Sequence, residues 1–277
     1  MFSEAQSNQN KSSLSTKEEL LKFKTNQKYL NIIISTASEW LYSKPEATQA
    51  LSYIDSRIKR ELQSPFNFGY FPNTMQSVFN FMDDIHKKNN KLDPKVVLES
   101  TGVMEFRKRK PRNFYYNNPL LIPYYDSYNN PVSIVGRTLL PEKEMKLANV
   151  VKYKNLPFKR GNHVFGLNLS RLNIVKKNHV VIVEGQFDMI SCYSNNINNV
   201  VALCGSKVGF EHVLLLKRYT NNFHILLDND EAGEKGWKAI KLKAPKYNLN
   251  VVRISLPEKY KDVDEALKNN DKSWLLG

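Results

Sequence analysis

The chain has 277 residues, with 41 Lys and Arg against 27 Asp and Glu, and its formal charge of +14 predicts association with a polyanion such as nucleic acid. The only cysteines, Cys192 and Cys204, form no Cys-x-x-Cys pair, which excludes a structural zinc site of the usual spacing. No apolar stretch is long enough to span a membrane, and the amino terminus lacks a signal-peptide pattern, so the sequence predicts a cytoplasmic protein.

The first third of the chain is predicted to be helical. Residues 1–16 are polar and poor in apolar side chains, which predicts a disordered tail. From residue 17 to about residue 104, apolar side chains recur at three- and four-residue intervals, which is the period of an amphipathic helix.

A basic segment with aromatic neighbours follows the helical region. Cations that bind a phosphate backbone beside rings on which bases stack are typical of proteins that bind single strands. The alternative is a solvated basic loop whose aromatic side chains are anchored in the core. The cations are Arg107, Lys108, Arg109, Lys110 and Arg112, and the aromatic residues are Phe114, Tyr115 and Tyr116.

Residues 119–139 predict a β-hairpin. Two apolar runs flank the sequence Tyr128-Asn129-Asn130-Pro131, which is typical of a turn, and the second run ends near Arg137. Together with the helices before it, this hairpin is predicted to belong to a first, basic domain of mixed α+β structure that spans residues 17–175.

Four short apolar runs in the last third predict buried strands. Continuous rather than alternating apolar runs are typical of strands that are covered on both faces, and the segments between them are long enough for crossover helices. The repeated strand and helix pattern predicts an α/β fold with a doubly wound, mainly parallel sheet in residues 176–277. The runs are residues 179–185, 199–205, 222–230 and 250–257.

Three acidic pairs accompany these strands. Ligands of such sheets bind beyond the carboxyl ends of the strands, so the six carboxylates are predicted to converge there. Carboxylates so close together need a cation to stay ionised, and Mg²⁺, with Mn²⁺ as a substitute, takes oxygen ligands and completes its shell with phosphate oxygens. The alternative role is capping of helices, for which Asp230 is well placed. The pairs are Glu184 and Asp188, Asp228 and Asp230, and Asp262 and Asp264.

The acidic segments resemble the three signature segments of the TOPRIM domain. They read EGQFDMIS in residues 184–191, LDNDEAGEKG in residues 227–236 and KDVDEAL in residues 261–267. Val263 stands where the family usually has proline, and Asn229 lies between the two aspartates of the second segment. Neither departure removes a carboxylate.

Upstream segments resemble the RNA polymerase core of DnaG-type primases. GRTL begins at Gly136, KYKN spans residues 152–155 and HVFGL spans residues 163–167, in the order found in that family. The resemblance covers roughly residues 100–270. It implies a TOPRIM-type sheet preceded by a smaller basic subdomain, and a primase that copies single-stranded DNA into short RNA primers from nucleoside triphosphates.

The resemblance also implies roles for particular residues. Glu184, Asp228 and Asp230 are expected to be catalytic and to bind the metal, and Glu184 is also a candidate general base. Asp188, Asp262 and Asp264 are expected to be further or outer-shell metal ligands. The resemblance implies that Arg137, Lys152, Asn155 and Lys159 bind nucleotide or template, and the basic segment adds Arg107, Arg109 and Arg112 as candidates for the same role.

Two domains that usually accompany this core are not recognisable in the sequence. Family members usually carry a zinc-binding domain before the core and a helicase-binding domain after it. Their absence from the sequence implies that template recognition depends on a partner, such as a replicative helicase or another primosome subunit. The Lys- and Asn-rich composition favours a phage or mobile-element source, which would place the protein in a host cytoplasm.

Three other functions are alternatives to primer synthesis. A TOPRIM nuclease needs the acidic segments but has no need of GRTL or KYKN. A single-strand-binding accessory protein would bind DNA in a salt-sensitive way without joining nucleotides. A topoisomerase would need a separate tyrosine-bearing domain, and the upstream region is too short for one.

Overall fold

The structure, a computed structural model, describes residues 2–107, 111–205, 209–271 and 273–276, with side chains from residue 17 to residue 274 of these ranges. None of the helices in these ranges has both the length and the apolar character of a membrane span. The chain forms two compact units, each built from several segments. The first contains residues 1–52, 66–123 and 131–156, and the second contains residues 53–65, 124–130 and 157–277.

Between residues 17 and 104 the chain forms helices, as the sequence predicts. In the first helix, Leu30, Ile33, Ala37 and Trp40 are buried at three- and four-residue intervals, so one face of the helix enters the core. The Trp40 indole N–H donates to Asp84 at 3.0 Å. The helices that begin in the first unit are α1 (Phe2–Ser43), α2 (Thr48–Asp55), α3 (Met75–Lys88), α4 (Pro94–Ser100) and α5 (Glu142–Leu147), with a 3₁₀ turn at Pro45–Ala47. Two further 3₁₀ turns, Arg60–Leu62 and Ser64–Phe66, begin in the segment 53–65 of the second unit.

Capping side chains explain where two of these helices begin. The Thr74 hydroxyl accepts a hydrogen bond from the N–H of Ser77 at 3.2 Å and starts α3. Asp93 accepts from the N–H of Lys95 at 2.8 Å, and Pro94 occupies the first position of α4, where proline costs no hydrogen bond. The bounds of α1 include residues 2–16, where the sequence predicts a disordered tail. The structure does not describe the side chains of residues 2–16, so the disordered tail stays a prediction.

An antiparallel sheet follows the order β1-β4-β5-β6, and β2 pairs separately with β3. Strands β4 and β5 are neighbours, which confirms the predicted hairpin. Its turn contains Asn129 with a φ of 67°, and the carboxylate of Asp126 accepts from the N–H groups of Tyr128 and Asn130. The strands are β1 (Gly69–Tyr70), β2 (Met104–Glu105), β3 (Arg112–Asn113), β4 (Leu120–Tyr125), β5 (Pro131–Arg137) and β6 (Tyr153–Asn155).

The second unit is built on a parallel sheet with the strand order β10-β9-β7-β8. This confirms the predicted parallel sheet. Strand β7 is buried along its whole length, because helices cover both faces of a parallel sheet. The elements are α6 (Leu167–Lys177), β7 (Val180–Val183), α7 (Gln186–Ser194), β8 (Val200–Ala202), α8 (Phe210–Leu216), β9 (Asn222–Ile225), α9 (Glu231–Lys243), β10 (Asn250–Arg253) and α10 (Val263–Lys268), with 3₁₀ turns at Arg160–Asn162, Pro245–Tyr247 and Ser273–Leu276.

The compact units do not divide the chain at one position. Residues 157–175 belong to the second unit, together with the inserted segments 53–65 and 124–130. The two domains predicted for residues 17–175 and 176–277 stay a prediction, since a domain boundary and a boundary between compact units need not coincide.

Candidate active site

The first two acidic segments meet beyond the carboxyl ends of β7 and β9. Glu184 follows β7 directly, and its Oε1 accepts a hydrogen bond from the backbone N–H of Asp228 at 3.2 Å. Asp188 lies in the first turn of α7, where its Oδ2 accepts from the N–H of Gly185 at 2.9 Å. The two segments are therefore joined although their residues are 44 positions apart.

Two of the aspartates cap helices. Asp230 accepts from the N–H of Gly233 at 2.8 Å at the start of α9, and Asp262 accepts from the N–H of Glu265 at 2.9 Å at the start of α10. Capping occupies one oxygen of each carboxylate, because the N–H groups of Gly233 and Glu265 donate to Oδ1. Each carboxylate therefore retains Oδ2, so capping and metal binding are compatible roles.

Asp264 is held by three side chains. It is 5% exposed, and its Oδ1 accepts from the hydroxyl of Ser191 in α7. Its Oδ2 accepts from Arg57 and, at 2.6 Å, from Lys268. A buried carboxylate loses its hydration, and these contacts replace it.

Arg57 approaches Asp264 beside two aromatic rings. Its guanidinium lies 5.1 Å from the ring centroid of Tyr53 and 5.5 Å from that of Phe187, and the two rings are in edge contact. The rings restrict the guanidinium to this position and add cation–π attraction. Sequence reasoning missed Arg57, because no local pattern connects residues 207 positions apart.

The carboxylates are close enough to alter one another's ionisation. Burial raises the pKa of Asp188 to about 7, and the charges of Asp228 and Asp262 act in the same direction. Burial raises the pKa of Asp228 to about 7 as well, reinforced by Glu184. Burial also raises the pKa of Glu184, which the hydrogen bond from Asp228 opposes. The acidic cluster is therefore more stable when its carboxylates are protonated or when a cation is bound to them.

The side chains do not form a three-ligand cage. Within the described ranges, no group of three or more His, Cys, Asp and Glu residues could hold a metal ion as the side chains stand. Mg²⁺, however, is usually bound by one or two carboxylates and completes its octahedral shell with water and substrate phosphates. The carboxylate oxygens of Glu184 and Asp228, whose pKa values are raised by burial and by neighbouring carboxylates, fit an ion of that kind.

Cations and aromatic rings lie together on the last two strands of the first unit's sheet. Arg137 and Tyr153 are paired across β5 and β6, and the guanidinium lies 5.0 Å from the ring centroid. The ammonium of Lys152 lies 5.7 Å from the same ring. Asn155 is paired with Val135 on the same two strands and is half-buried.

Lys154 forms a second cation group, which sequence reasoning did not single out. Its ammonium lies 4.3 Å from the ring centroid of Phe114, and burial, together with the charge of Arg112, lowers its pKa. The alternation of a strand could have revealed it, because Lys154 and Tyr153 are neighbours in β6 and so lie on opposite faces.

The remaining predicted binding residues differ in their surroundings. Arg107 binds both carboxylate oxygens of Glu105, at 2.7 and 2.8 Å. Lys159 is exposed in the second unit, and Arg109 lies outside the described residues. Tyr115 is fully buried and donates to the carbonyl of Ile134 at 2.8 Å, so this ring belongs to the core and is not a base-stacking platform.

Two family models match consecutive parts of the chain. One, described as the DNA primase catalytic core, N-terminal domain, matches residues 37–171, and the other, described as Toprim-like, matches residues 181–267. The two occur in the order of a primase catalytic core. The chain belongs to the DnaG-type primase family. Members of these two families generally depend on divalent metal ions.

Individual relatives agree with this assignment. The DNA primase of Aquifex aeolicus is 29% identical over 228 residues, which cover 82% of this chain and 44% of the relative. The crystal structure of the zinc-binding and RNA polymerase domains of Aquifex aeolicus primase matches 92% of this chain and 60% of that one, with 27% identity and a TM-score of 0.75. A DnaG primase catalytic domain bound to ssDNA shares the fold, with 22% identity, a TM-score of 0.73, and coverage of 93% of this chain and 81% of that one.

The alignments cover most of this chain but a smaller share of each Aquifex aeolicus relative. The chain spans less than half the length of the curated Aquifex primase. The sequence-based assignment to the DnaG-type primase core is confirmed. The residues assigned to catalysis, metal binding and template binding stay predictions, because the comparisons identify the core and not its individual contacts.

Proposed function

We propose that this chain synthesises short RNA primers on single-stranded DNA. The observation that carries the proposal is the joining of Glu184 to Asp228 beyond the carboxyl ends of two parallel strands, within a chain of the DnaG-type primase family. The primase activity of the relatives and the ssDNA bound to one of the similar structures support the same proposal.

The reaction joins a primer 3′-hydroxyl to the α-phosphorus of a nucleoside triphosphate. A new P–O bond forms to the 3′-oxygen, the bond to the bridging oxygen breaks, pyrophosphate leaves, and the hydroxyl proton passes to a base. A bound divalent ion, Mg²⁺ or Mn²⁺, would neutralise charge on the phosphate oxygens. We assign proton acceptance to Glu184, whose pKa is raised by burial and thus moves toward neutral pH.

The acidic residues divide by their contacts. Glu184, Asp228 and Asp230 are assigned to the metal, and Asp188 and Asp262 to its surroundings, since their carboxylates lie near Asp228. Asp264 is assigned an outer role, because Ser191, Arg57 and Lys268 occupy both of its oxygens. This division explains how six acids serve a site that needs fewer ligands.

The cations on β5 and β6 are assigned to the triphosphate or the template strand. Arg137 and Lys152 combine positive charge with the ring of Tyr153, and Lys154 does so with the ring of Phe114. Asn155 adds an uncharged amide on the same strand as Lys154. Charge that neutralises phosphates, combined with rings on which bases stack, is the usual chemistry of single-strand binding. We assign binding of the template strand to four further cations, which are Lys159, Arg107, Arg109 and Arg112. A replicative helicase or another primosome subunit as partner, and a cytoplasmic location, belong to the same proposal.

Primer synthesis can be tested directly. The protein is incubated with a single-stranded template, ribonucleotides and Mg²⁺ or Mn²⁺, and labelled oligonucleotides are resolved by gel. We expect product from the native chain and a loss of at least about 100-fold in Asp228→Ala, the size of effect seen when a group that stabilises transition-state charge is removed. Undiminished product in Asp228→Ala would remove the acids from the mechanism. Cleavage of the template in place of synthesis would indicate a nuclease, and salt-sensitive binding without synthesis an accessory protein.

A further inference from the structure

We infer that Asn229 is a positioning residue that holds the loop carrying Asp262 against the segment carrying Asp228 and Asp230. This inference rests on the proposed function and deepens it. Asn229 lies between the two aspartates of its segment, but its side chain points to another part of the chain. It contacts the loop that precedes α10.

The contacts of Asn229 are all with the backbone of that loop. Its side-chain Nδ2 donates to the carbonyl of Tyr260 at 2.9 Å and to that of Pro257 at 3.2 Å, with a longer contact to Leu256 at 3.4 Å. Its backbone N–H donates to the carbonyl of Lys261 at 2.9 Å. One residue therefore binds four carbonyl groups of a six-residue stretch, residues 256–261.

Only an amide side chain of this length satisfies the arrangement. The three carbonyl oxygens around Nδ2 are all acceptors, so the NH₂ group and not the oxygen of the amide faces them. Aspartate has the same shape but would place a carboxylate oxygen against three carbonyl oxygens. Leucine has the same branched arrangement of heavy atoms, although it is larger, and it donates no hydrogen bond, which makes Asn229→Leu an informative substitution.

The bound loop leads directly to an acidic residue of the site. Lys261, whose carbonyl accepts from Asn229, is followed by Asp262, and the charge of Asp262 acts on both Asp188 and Asp228. Asp262 also caps α10, so moving the loop would move the start of that helix. Asn229 thus holds the third acidic segment in place relative to the second. Its hydrogen bonds do not use the carboxylates of its neighbours, Asp228 and Asp230.

A compensating substitution is available in the same loop. Val263 is the first residue of α10, where proline is favoured because its N–H would have no partner within the helix. Asp262, the residue before it, has φ −140° and ψ 169°, an extended conformation that a following proline tolerates. Val263→Pro should therefore stiffen the start of α10 independently of Asn229.

The experiment compares four proteins: the native chain, Asn229→Leu, Asn229→Leu with Val263→Pro, and Asn250→Leu. Asn250 is the matched control, because it is an exposed asparagine whose amide also donates a hydrogen bond, to Asn222 at 2.8 Å, at the opposite ends of β9 and β10. Mn²⁺ affinity is measured by electron paramagnetic resonance without template or nucleotide, and amide hydrogen exchange is measured at residues 229 and 265. Thermal unfolding verifies that each variant is folded.

We expect Asn229→Leu to weaken Mn²⁺ binding about 10-fold, the lower end of the effect of removing a group that orients metal ligands. Amide exchange at residues 229 and 265 should accelerate in Asn229→Leu, and Val263→Pro should restore most of the Mn²⁺ affinity. Asn250→Leu should match the native chain. The Mg²⁺ concentration for half-maximal primer synthesis should rise in Asn229→Leu by a similar factor.

Two results would overturn the inference. Equal Mn²⁺ affinity in the native chain and Asn229→Leu, including no binding by either, would show that Asn229 positions nothing. Weaker binding that Val263→Pro fails to restore would point to a direct contact of Asn229 with the ion. A native chain that binds Mn²⁺ but makes no primers would contradict the proposed function alone, since the affinity comparison would still decide the role of Asn229.

Discussion

Arg57 donates a hydrogen bond to Asp264 across 207 positions of sequence, and this contact joins the inserted segment 53–65 to α10 within the second unit. The side chain of Asp264 is 7% exposed and that of Arg57 is 26% exposed, so the pair is largely shielded from water. Because Ser191 of α7 binds the other oxygen of Asp264, three elements depend on one carboxylate.

Removing the guanidinium should therefore destabilise the protein. We expect Arg57→Leu to lower the free energy of unfolding by about 2–3 kcal/mol, because Asp264 would lose a charged partner while staying buried. Urea denaturation of the native chain and the variant measures the difference. Arg60→Leu is the control, since Arg60 binds Asp55 in an exposed pair whose loss should cost less than about 1 kcal/mol. Equal effects of the two substitutions would contradict the assigned role of Asp264.

Stability should depend on pH through the acidic cluster when no divalent ion is present. The pKa of Asp188 and that of Asp228 are raised from 3.8 to about 7, so the folded state holds protons that the unfolded state releases. Unfolding then releases protons, and these groups make the free energy of unfolding fall as pH rises from about 4 to about 7. Above pH 7 the full penalty of two charged, crowded carboxylates is present.

Asp228→Asn should remove part of that penalty. In a chelator at pH 8, we expect this variant to melt at a higher temperature than the native chain and to show a weaker dependence of its melting temperature on pH between 4 and 7. Asp83→Asn, a change at an exposed acid of α3, should leave both properties unaltered. Added Mg²⁺ should raise the melting temperature of the native chain more than that of Asp228→Asn, since binding stabilises only the folded state. A lower melting temperature for Asp228→Asn in chelator would refute this account.

The glycines of α9 differ in what an added methyl group would meet. At Gly233, a Cβ atom would lie 2.2 Å from the carbonyl oxygen of Asp228, whereas at Gly236 its nearest neighbour is a side-chain methyl of Leu227 at 2.9 Å. A backbone atom cannot move aside as a flexible side chain can.

We expect Gly233→Ala to cost about 1–3 kcal/mol of stability and to reduce primer synthesis. Gly236→Ala should change stability by no more than about 1 kcal/mol, because the helical preference of alanine offsets the contact. Thermal unfolding and primer assays on both variants give the comparison, and a milder effect at Gly233 would show that the close approach to Asp228 is unimportant.

Single-strand binding should depend on the cations of β5 and β6. For Arg137→Leu we expect weaker binding to a labelled single strand and a salt dependence whose log–log slope is smaller by about 0.7, which corresponds to one lost phosphate contact. Fluorescence anisotropy at several salt concentrations measures both quantities. Lys87→Met is the control, because Lys87 lies on α3 in an ion pair with Asp84. An unchanged slope in Arg137→Leu would assign this arginine to the core rather than to the template.

Several features of this protein were readable in the linear sequence. The apolar runs predicted the four parallel strands because a strand covered on both faces leaves no polar alternation, and the turn at Asn129 and Asn130 predicted the hairpin. The order of the GRTL, KYKN and acidic segments predicted the primase family, which the family models confirm. Each run, turn and motif is a local signal that depends on residues within a few positions of one another, and the family prediction needs in addition only their order along the chain.

The partners of the acidic residues required the three-dimensional structure. Nothing near Asp264 in sequence identifies Arg57 or Ser191 as the groups that hold it, and nothing near Asn229 identifies the carbonyls of residues 256–261. Tyr115, which the sequence places beside basic residues as a possible stacking ring, is buried by the strands that fold over it. Such outcomes depend on which distant segments pack together, and packing is decided by the burial and hydrogen bonding of the whole fold rather than by the period of any one segment.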